Sequence, residues 1–163
     1  MTRIHARELA VRLLFSMQSS GYSLSDTEAL FFTEDHFRSL AEEDPLFSEF
    51  PDEKSRDFIH RLVSLTEEHR HEIDDRISTY AKGRRIERIS KPALAILRSA
   101  ICELLFMEDV PVASSVNEAV EMGKTYDSPE TASFINGILG SMIRGEGIKR
   151  NVDTVLAEDL AAE

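Results

Sequence analysis

Apolar residues recur three and four positions apart along almost the whole of this 163-residue chain, and no stretch alternates apolar with polar residues as a half-buried strand would. A chain patterned in this way can bury its apolar surface only by packing helix on helix. Ala6, Leu9, Ala10, Leu13 and Met17 form the first stripe, which predicts a helix from about Ile4 to Ser19 that ends before Ser20-Gly21. Ser25 followed by Glu28 reads as a capping box for a second helix carrying Leu30, Phe31 and Phe37. Acidic residues and Pro45 then break the pattern.

Pro51 and Asp52 open a long segment in which Ile59, Leu62, Thr66, His69, Ile73, Ile77 and Tyr80 share a face, either as one helix or as two with a kink, and Gly83 closes it. Ser90 with Pro92 starts the most apolar helix, whose Leu94, Leu97, Ile101 and Leu104 place it at the centre of the fold. After Asp109-Val110-Pro111, a helix marked by Val116, Ala119, Val120 and Gly123 runs to about Tyr126. Ser128-Pro129-Glu130 is a second strong start, Phe134, Ile135, Ile138, Leu139 and Met142 give its packing face, and Gly145 is placed to end it. The expected architecture is all-α, a compact single-domain bundle of six or seven helices over residues 1–145, with an acidic, mobile tail over 146–163.

One pair of residues conflicts with this reading. Asn136-Gly137 is a hairpin signal, yet no strand pattern flanks it, so a helix must tolerate a glycine at a cost of about 1 kcal/mol relative to alanine. Close helix packing or backbone access for a ligand would each explain the glycine.

Charge narrows the function classes. The formal net charge of −11 opposes polyanion binding by the chain as a whole, but the charge is segregated. Asp26 to Asp57 holds eleven acidic residues against Arg38, Lys54 and Arg56, whereas Arg76 to Arg98 holds seven basic residues against Glu87 alone. The lone Cys102 forms no disulfide framework, and no run approaches the roughly 18 apolar residues of a membrane span. The first twenty residues read as a periodic helix rather than a signal peptide. A cytoplasmic protein with no membrane association is expected.

Catalytic chemistry finds little support. Glu68 and His71 have a Glu-x-x-His spacing, but carboxylate-bridged dimetal bundles need two such motifs and further glutamates. Asp57 and His60 share the spacing with a shorter acid. The glycines are scattered and form no phosphate-cradling loop, no nucleophile motif is present, and Cys102 sits in an apolar helix where a thiolate is disfavoured. No enzyme, no metal site and no cofactor is expected.

Five blocks carry a resemblance. Ala6-Arg7-Glu8-Leu9-Ala10-Val11 with Leu14-Phe15-Ser16 and Gln18, Ile96-Leu97-Arg98-Ser99-Ala100 with Glu103-Leu104, Asp109-Val110-Pro111, Val116-Asn117-Glu118-Ala119-Val120-Glu121, and Phe134-Ile135-Asn136-Gly137-Ile138-Leu139 follow one another in the order and spacing of the NusB family. Over residues 3 to 143 the chain resembles that family of transcription antitermination factors.

The resemblance implies a protein that binds boxA-type single-stranded RNA of nascent rRNA transcripts with ribosomal protein NusE and helps RNA polymerase, within its antitermination complex, pass terminators. It nominates Arg3, Arg7, Arg98, Tyr126, Phe134 and Asn136 as RNA-binding residues, the arginines for phosphates and the two rings for stacking on bases. Phe134 could equally be a core residue, Arg98 could pair with a carboxylate such as Glu103, and Arg7 could lay its stem on apolar surface. The alternative function is a helical module for protein–protein contact or self-association, including a homodimer, with weakened RNA binding. A third reading, the accessory domain of an rRNA methyltransferase, lacks any Rossmann-like catalytic unit. Ile4, His5 and Ser133 stand where relatives often carry cations, so weak RNA binding alone and tighter binding with a basic partner are expected.

Overall fold

A computed structural model describes residues 1–150, and among them the chain is helical throughout, with eight α-helices, two short 3₁₀ turns and no strand. Those residues group into two compact units, Met1–Glu67 and a second from Glu68 onward.

The N-terminal unit contains α1 (Arg3–Ser20), α2 (Leu24–Phe31), α3 (Glu34–Leu40) and α4 (Glu53–Glu68, whose last residue opens the second unit). Thr2 caps α1, and Gly21 ends it in the left-handed region at φ 75°. The expected second helix is in fact two. Ser23, not Ser25, caps α2 by accepting from the Asp26 amide, and the helix stops at Phe31, because Thr33 turns extended and accepts from the His36 amide to start α3. This break gathers aromatic rings, with Phe37 at 5.0 Å from Phe47 and 5.1 Å from Phe50 between ring centroids. Asp52 then caps α4 by accepting from the Ser55 amide at 3.0 Å. Leu9, Leu13, Ile59 and Leu62 are fully buried.

The C-terminal unit contains α5 (Arg70–Tyr80), α6 (Lys91–Phe106), α7 (Val112–Tyr126) and α8 (Pro129–Glu146). The long helical segment kinks at His69, whose ring leaves the helix and stacks on Phe106 at 3.8 Å. This kink also parts Glu68, the last residue of α4, from His71 in α5, so their spacing does not lie on one helical face. Ser90 caps α6, and every residue from Ala93 to Leu104 is buried, which makes α6 the buried centre its composition predicts.

Helices α7 and α8 approach closely at Gly123, where a Cβ would stand 3.1 Å from the Ala132 Cα. Gly145 does not end α8: Gly147 does, in the left-handed region at φ 63°, while Gly145 lies inside the helix against Tyr80. Arg150 donates to the carbonyls of Glu103, Leu104, Met107 and Glu108 at 2.6 to 3.2 Å, so a side chain from beyond α8 gathers the carbonyls at the end of α6. The remaining part of the expected tail, 151–163, lies outside the described residues. Among the described residues no helix is long and apolar enough to cross a membrane.

Candidate nucleic-acid interface

In the C-terminal unit the segment after α5 turns sharply. Lys82 and Gly83 both have positive φ, 50° and 87°, and the chain then extends through Arg85 to the 3₁₀ turn Ile86–Arg88. The left-handed conformation is free for Gly83 and uncommon for a residue like Lys82. The turn sets Lys82 and Arg84 beside α8, where a groove of about 490 Å³ is lined by Tyr80, Lys82, Arg84, Phe134, Gly137 and Arg144 among others. Phe134 is half-buried, and the Arg84 guanidinium carbon lies 4.4 Å from its ring centroid.

Among the described residues no carboxylate lines this groove, and none pairs with Lys82, Arg84 or Arg144. Three cations therefore line the groove, Arg84 over the Phe134 ring, and among the described residues no carboxylate pairs with them. Tyr80 borders the groove from α5, its hydroxyl donating to Glu146 at 3.0 Å, and Arg76 holds the same carboxylate. The Arg76 bond first, then that of Tyr80, keeps the Glu146 carboxyl below its usual range. Burial, reinforced by the bond to Glu146, pushes the Tyr80 hydroxyl up, so it stays a neutral donor.

The residues nominated by sequence fall into two sets. Arg3 and Arg7 belong to the N-terminal unit. Arg3 is exposed in the first turn of α1 with its guanidinium 4.0 Å from the Phe58 ring centroid, whereas Arg7, one turn on, is 2% exposed. Arg98, Tyr126, Phe134 and Asn136 belong to the other unit. Arg98 is buried and forked onto Asp74, with Nε and Nη2 donating at 2.8 and 2.9 Å. Its carboxylate partner is thus Asp74, not Glu103.

Tyr126 is half-buried at the end of α7. The next residue, Asp127, accepts from Ser90 at 2.5 Å and from Thr131 at 2.9 Å, tying the starts of α6 and α8 together. Asn136 is exposed, but two residues of α-helix rotate it about 200° from Phe134. The structure therefore groups Phe134 with Lys82, Arg84 and Arg144, not with Asn136 or Arg98. Of these, Lys82 and Arg84 lie in the basic run that the charge pattern singles out. Arg144 and Tyr80 carry no comparable sequence signal, because only the helix–turn geometry brings them to Phe134.

The open question at Asn136-Gly137 has a geometric answer. A Cβ built on Gly137 would meet nothing within 4 Å, and the residue lines the groove beside Phe134. Helix packing therefore does not require this glycine. Its effect is to keep backbone open at the groove.

The NusB family model matches residues 4–144 of the sequence, nearly all of the described chain. The chain belongs to the NusB family. The transcription antitermination protein NusB of Symbiobacterium thermophilum is 39% identical over 162 residues, covering 98% of this chain and 100% of the relative. Its counterpart in Clostridium botulinum is 39% identical over 149 residues, 88% of this chain and 100% of its own length. Among solved structures, NusB of T. maritima aligns with a TM-score of 0.73 at 26% identity, over 88% of this chain and 92% of that one. A crystal structure of the antitermination factors NusB and NusE in complex with dsRNA aligns at 0.70 and 21% identity, over 89% and 99%, a likeness of fold.

Proposed function

We propose that this NusB-family chain is a transcription antitermination factor that binds boxA-type RNA of nascent rRNA transcripts together with ribosomal protein NusE and helps RNA polymerase read through terminators. It acts in the cytoplasm as an adaptor, with no chemical step of its own. The observation that carries the reading is the groove at Phe134: an accessible ring, an open backbone at Gly137 and three cations without carboxylate partners are what an unpaired base and its flanking phosphates require. Family membership supports it, since the relatives that match over their whole length are antitermination proteins, and so does the NusB–NusE–dsRNA complex of the same fold.

In this reading Phe134 stacks on a base, Lys82, Arg84 and Arg144 contact phosphates, and Arg3 offers a further cation from α1. Tyr126 and Asn136 offer polar contacts. Arg7 and Arg98, both buried, shape the surface rather than reach the RNA. The test is fluorescence anisotropy of a labelled boxA-type RNA with the isolated chain and with NusE added. Weak binding alone and markedly tighter binding with the ribosomal protein are expected, because −11 of net charge opposes RNA until a basic partner joins. Absence of binding in both settings overturns the reading. Binding to NusE without any effect on RNA would leave the chain a protein-interaction module.

A further inference from the structure

We propose that Arg76 is a positioning residue for the groove at Phe134, a role that rests on the RNA reading: with Tyr80 it pins Glu146 outside the groove and keeps that carboxylate from acting on Lys82, Arg84 and Arg144. Among the described residues Glu146 is the only acidic side chain that hydrogen-bonds a residue lining the groove, through the Tyr80 hydroxyl at 3.0 Å. It does not line the groove itself. Arg76 donates from Nε to one carboxylate oxygen and Tyr80 donates to the other, so both oxygens are engaged, and the Arg76 and Glu146 side chains are only 38% and 26% exposed. The Tyr80 hydroxyl in turn lies against Gly145, where a Cβ would stand 2.6 Å from it, so a glycine at that position lets the tyrosine reach Glu146. Arg144 leans the other way. A Cβ on Gly140, one turn back along α8, would stand 3.4 Å from the Arg144 Nη1, which carries the guanidinium toward the Phe134 end of the helix and away from Glu146.

Electrostatics gives the pin its function. Arg76 does not line the groove, and its charge is engaged by Glu146, so it acts on RNA through the carboxylate rather than by contact. Without Arg76, Glu146 keeps the Tyr80 bond alone, and an unpaired carboxylate 3.0 Å from the groove wall lies inside the screening length of about 8 Å at physiological salt. Its field then opposes the phosphates that the three groove cations attract. A tie that served stability alone would leave RNA affinity independent of the charge on Glu146.

The test is anisotropy of a labelled boxA-type RNA with NusE present, on the full chain and its variants. Arg76→Ala is expected to weaken binding about threefold. Glu146→Gln alone should bind at least as tightly as the unsubstituted chain, and Arg76→Ala with Glu146→Gln should return to within about twofold of it. Arg76→Lys, which keeps a cation for Glu146, should bind normally. Asp75→Asn is the control, because it removes an exposed carboxylate beside Arg76 that is not bonded to the groove wall. Added to Arg76→Ala it restores the same net charge and should restore no affinity. Normal binding by Arg76→Ala, a loss that Glu146→Gln does not repair, or equal repair by Asp75→Asn would each overturn the proposal. A second measurement needs no RNA: the side-chain nitrogen resonances of Lys82 and Arg144 should shift in Arg76→Ala and return in the double variant with Glu146→Gln. If the unsubstituted chain binds no RNA even with NusE, the RNA reading falls, whereas unshifted resonances in Arg76→Ala overturn the pinning of Glu146 by themselves.

Discussion

The guanidinium of Arg84 lies over the ring of Phe134, 4.4 Å from its centroid, so the cation and the stacking surface proposed for RNA are in contact before any ligand arrives. An arginine held by a ring is pre-ordered toward a phosphate, and the two groups should act partly as a unit. Phe134→Ala is expected to cost about 1 to 3 kcal/mol of RNA affinity with little change in salt dependence. Arg84→Ala should lower the slope of log affinity against log salt by roughly 0.7. The double variant should lose less than the sum. Salt-series anisotropy on the single and double variants checks all three, and additive losses would show that the stacked pair is not coupled.

Arg98 makes a different prediction. Its fork onto Asp74 joins α6 to α5 within the buried part of the C-terminal unit, and its removal leaves a carboxylate that is only partly exposed without a partner. Arg98→Ala should therefore destabilise the protein by about 2 to 3 kcal/mol, measured by urea unfolding. The RNA salt slope should not change under conditions where the variant is folded. A normal stability with a flattened slope would instead make Arg98 a phosphate ligand.

The helical periodicity and the strong caps were readable from the sequence because both are local. Ser90-Pro92 and Ser128-Pro129 start α6 and α8 where the sequence places them. The break between α2 and α3 was not, because Phe31 and Phe37 read as one stripe, and only the aromatic cluster shows why the chain turns between them. Gly145 looked like a helix stop for a similar reason: glycine signals an end, but Gly147 three residues before Arg150 is the one that adopts φ > 0. Of the proposed interface, Phe134 was legible through the family pattern and Lys82 and Arg84 through charge segregation. Their meeting was not, since it depends on two consecutive left-handed residues, one of them a lysine. The burial of Arg7 and Arg98 was equally invisible, because a buried arginine and an RNA-binding arginine look the same in one sequence.

The tie at Asp127 gives stability a pH dependence. Its carboxylate is held below the usual carboxylate range chiefly by the Ser90 hydroxyl, against the opposing effect of burial, with Thr131 and Ser128 adding smaller downward effects. A depressed folded value means that the stabilisation is complete above the unfolded value and disappears as pH falls through the folded one. Glu146, lowered by Arg76 and Tyr80, acts in the same direction. Thermal stability should accordingly be flat with respect to these groups from pH 5 to 7 and fall below about pH 4. Asp127→Asn should lower the melting temperature at pH 7, and the gap to the unsubstituted chain should narrow as pH falls below the usual carboxylate range. A gap that stays constant with pH would show that the carboxylate charge plays no part.

Gly137 separates stability from binding. Glycine inside a helix costs about 1 kcal/mol relative to alanine, and at Gly137 no packing contact accounts for that loss, since a Cβ would reach nothing within 4 Å. Gly137→Ala should therefore raise stability by about 0.5 to 1 kcal/mol, read from urea unfolding. At Gly123 the same change should have the opposite sign, because the new methyl would press on Ala132 at 3.1 Å and force α7 and α8 apart. If the open backbone at Gly137 serves the groove, a larger side chain there must interfere with a base stacked on Phe134. Gly137→Leu should leave the protein folded, with leucine favoured over glycine in the helix, yet weaken RNA binding by an amount similar to Phe134→Ala and without altering the salt slope. A Gly137→Leu variant that binds RNA normally would remove the groove beside Phe134 from the RNA path.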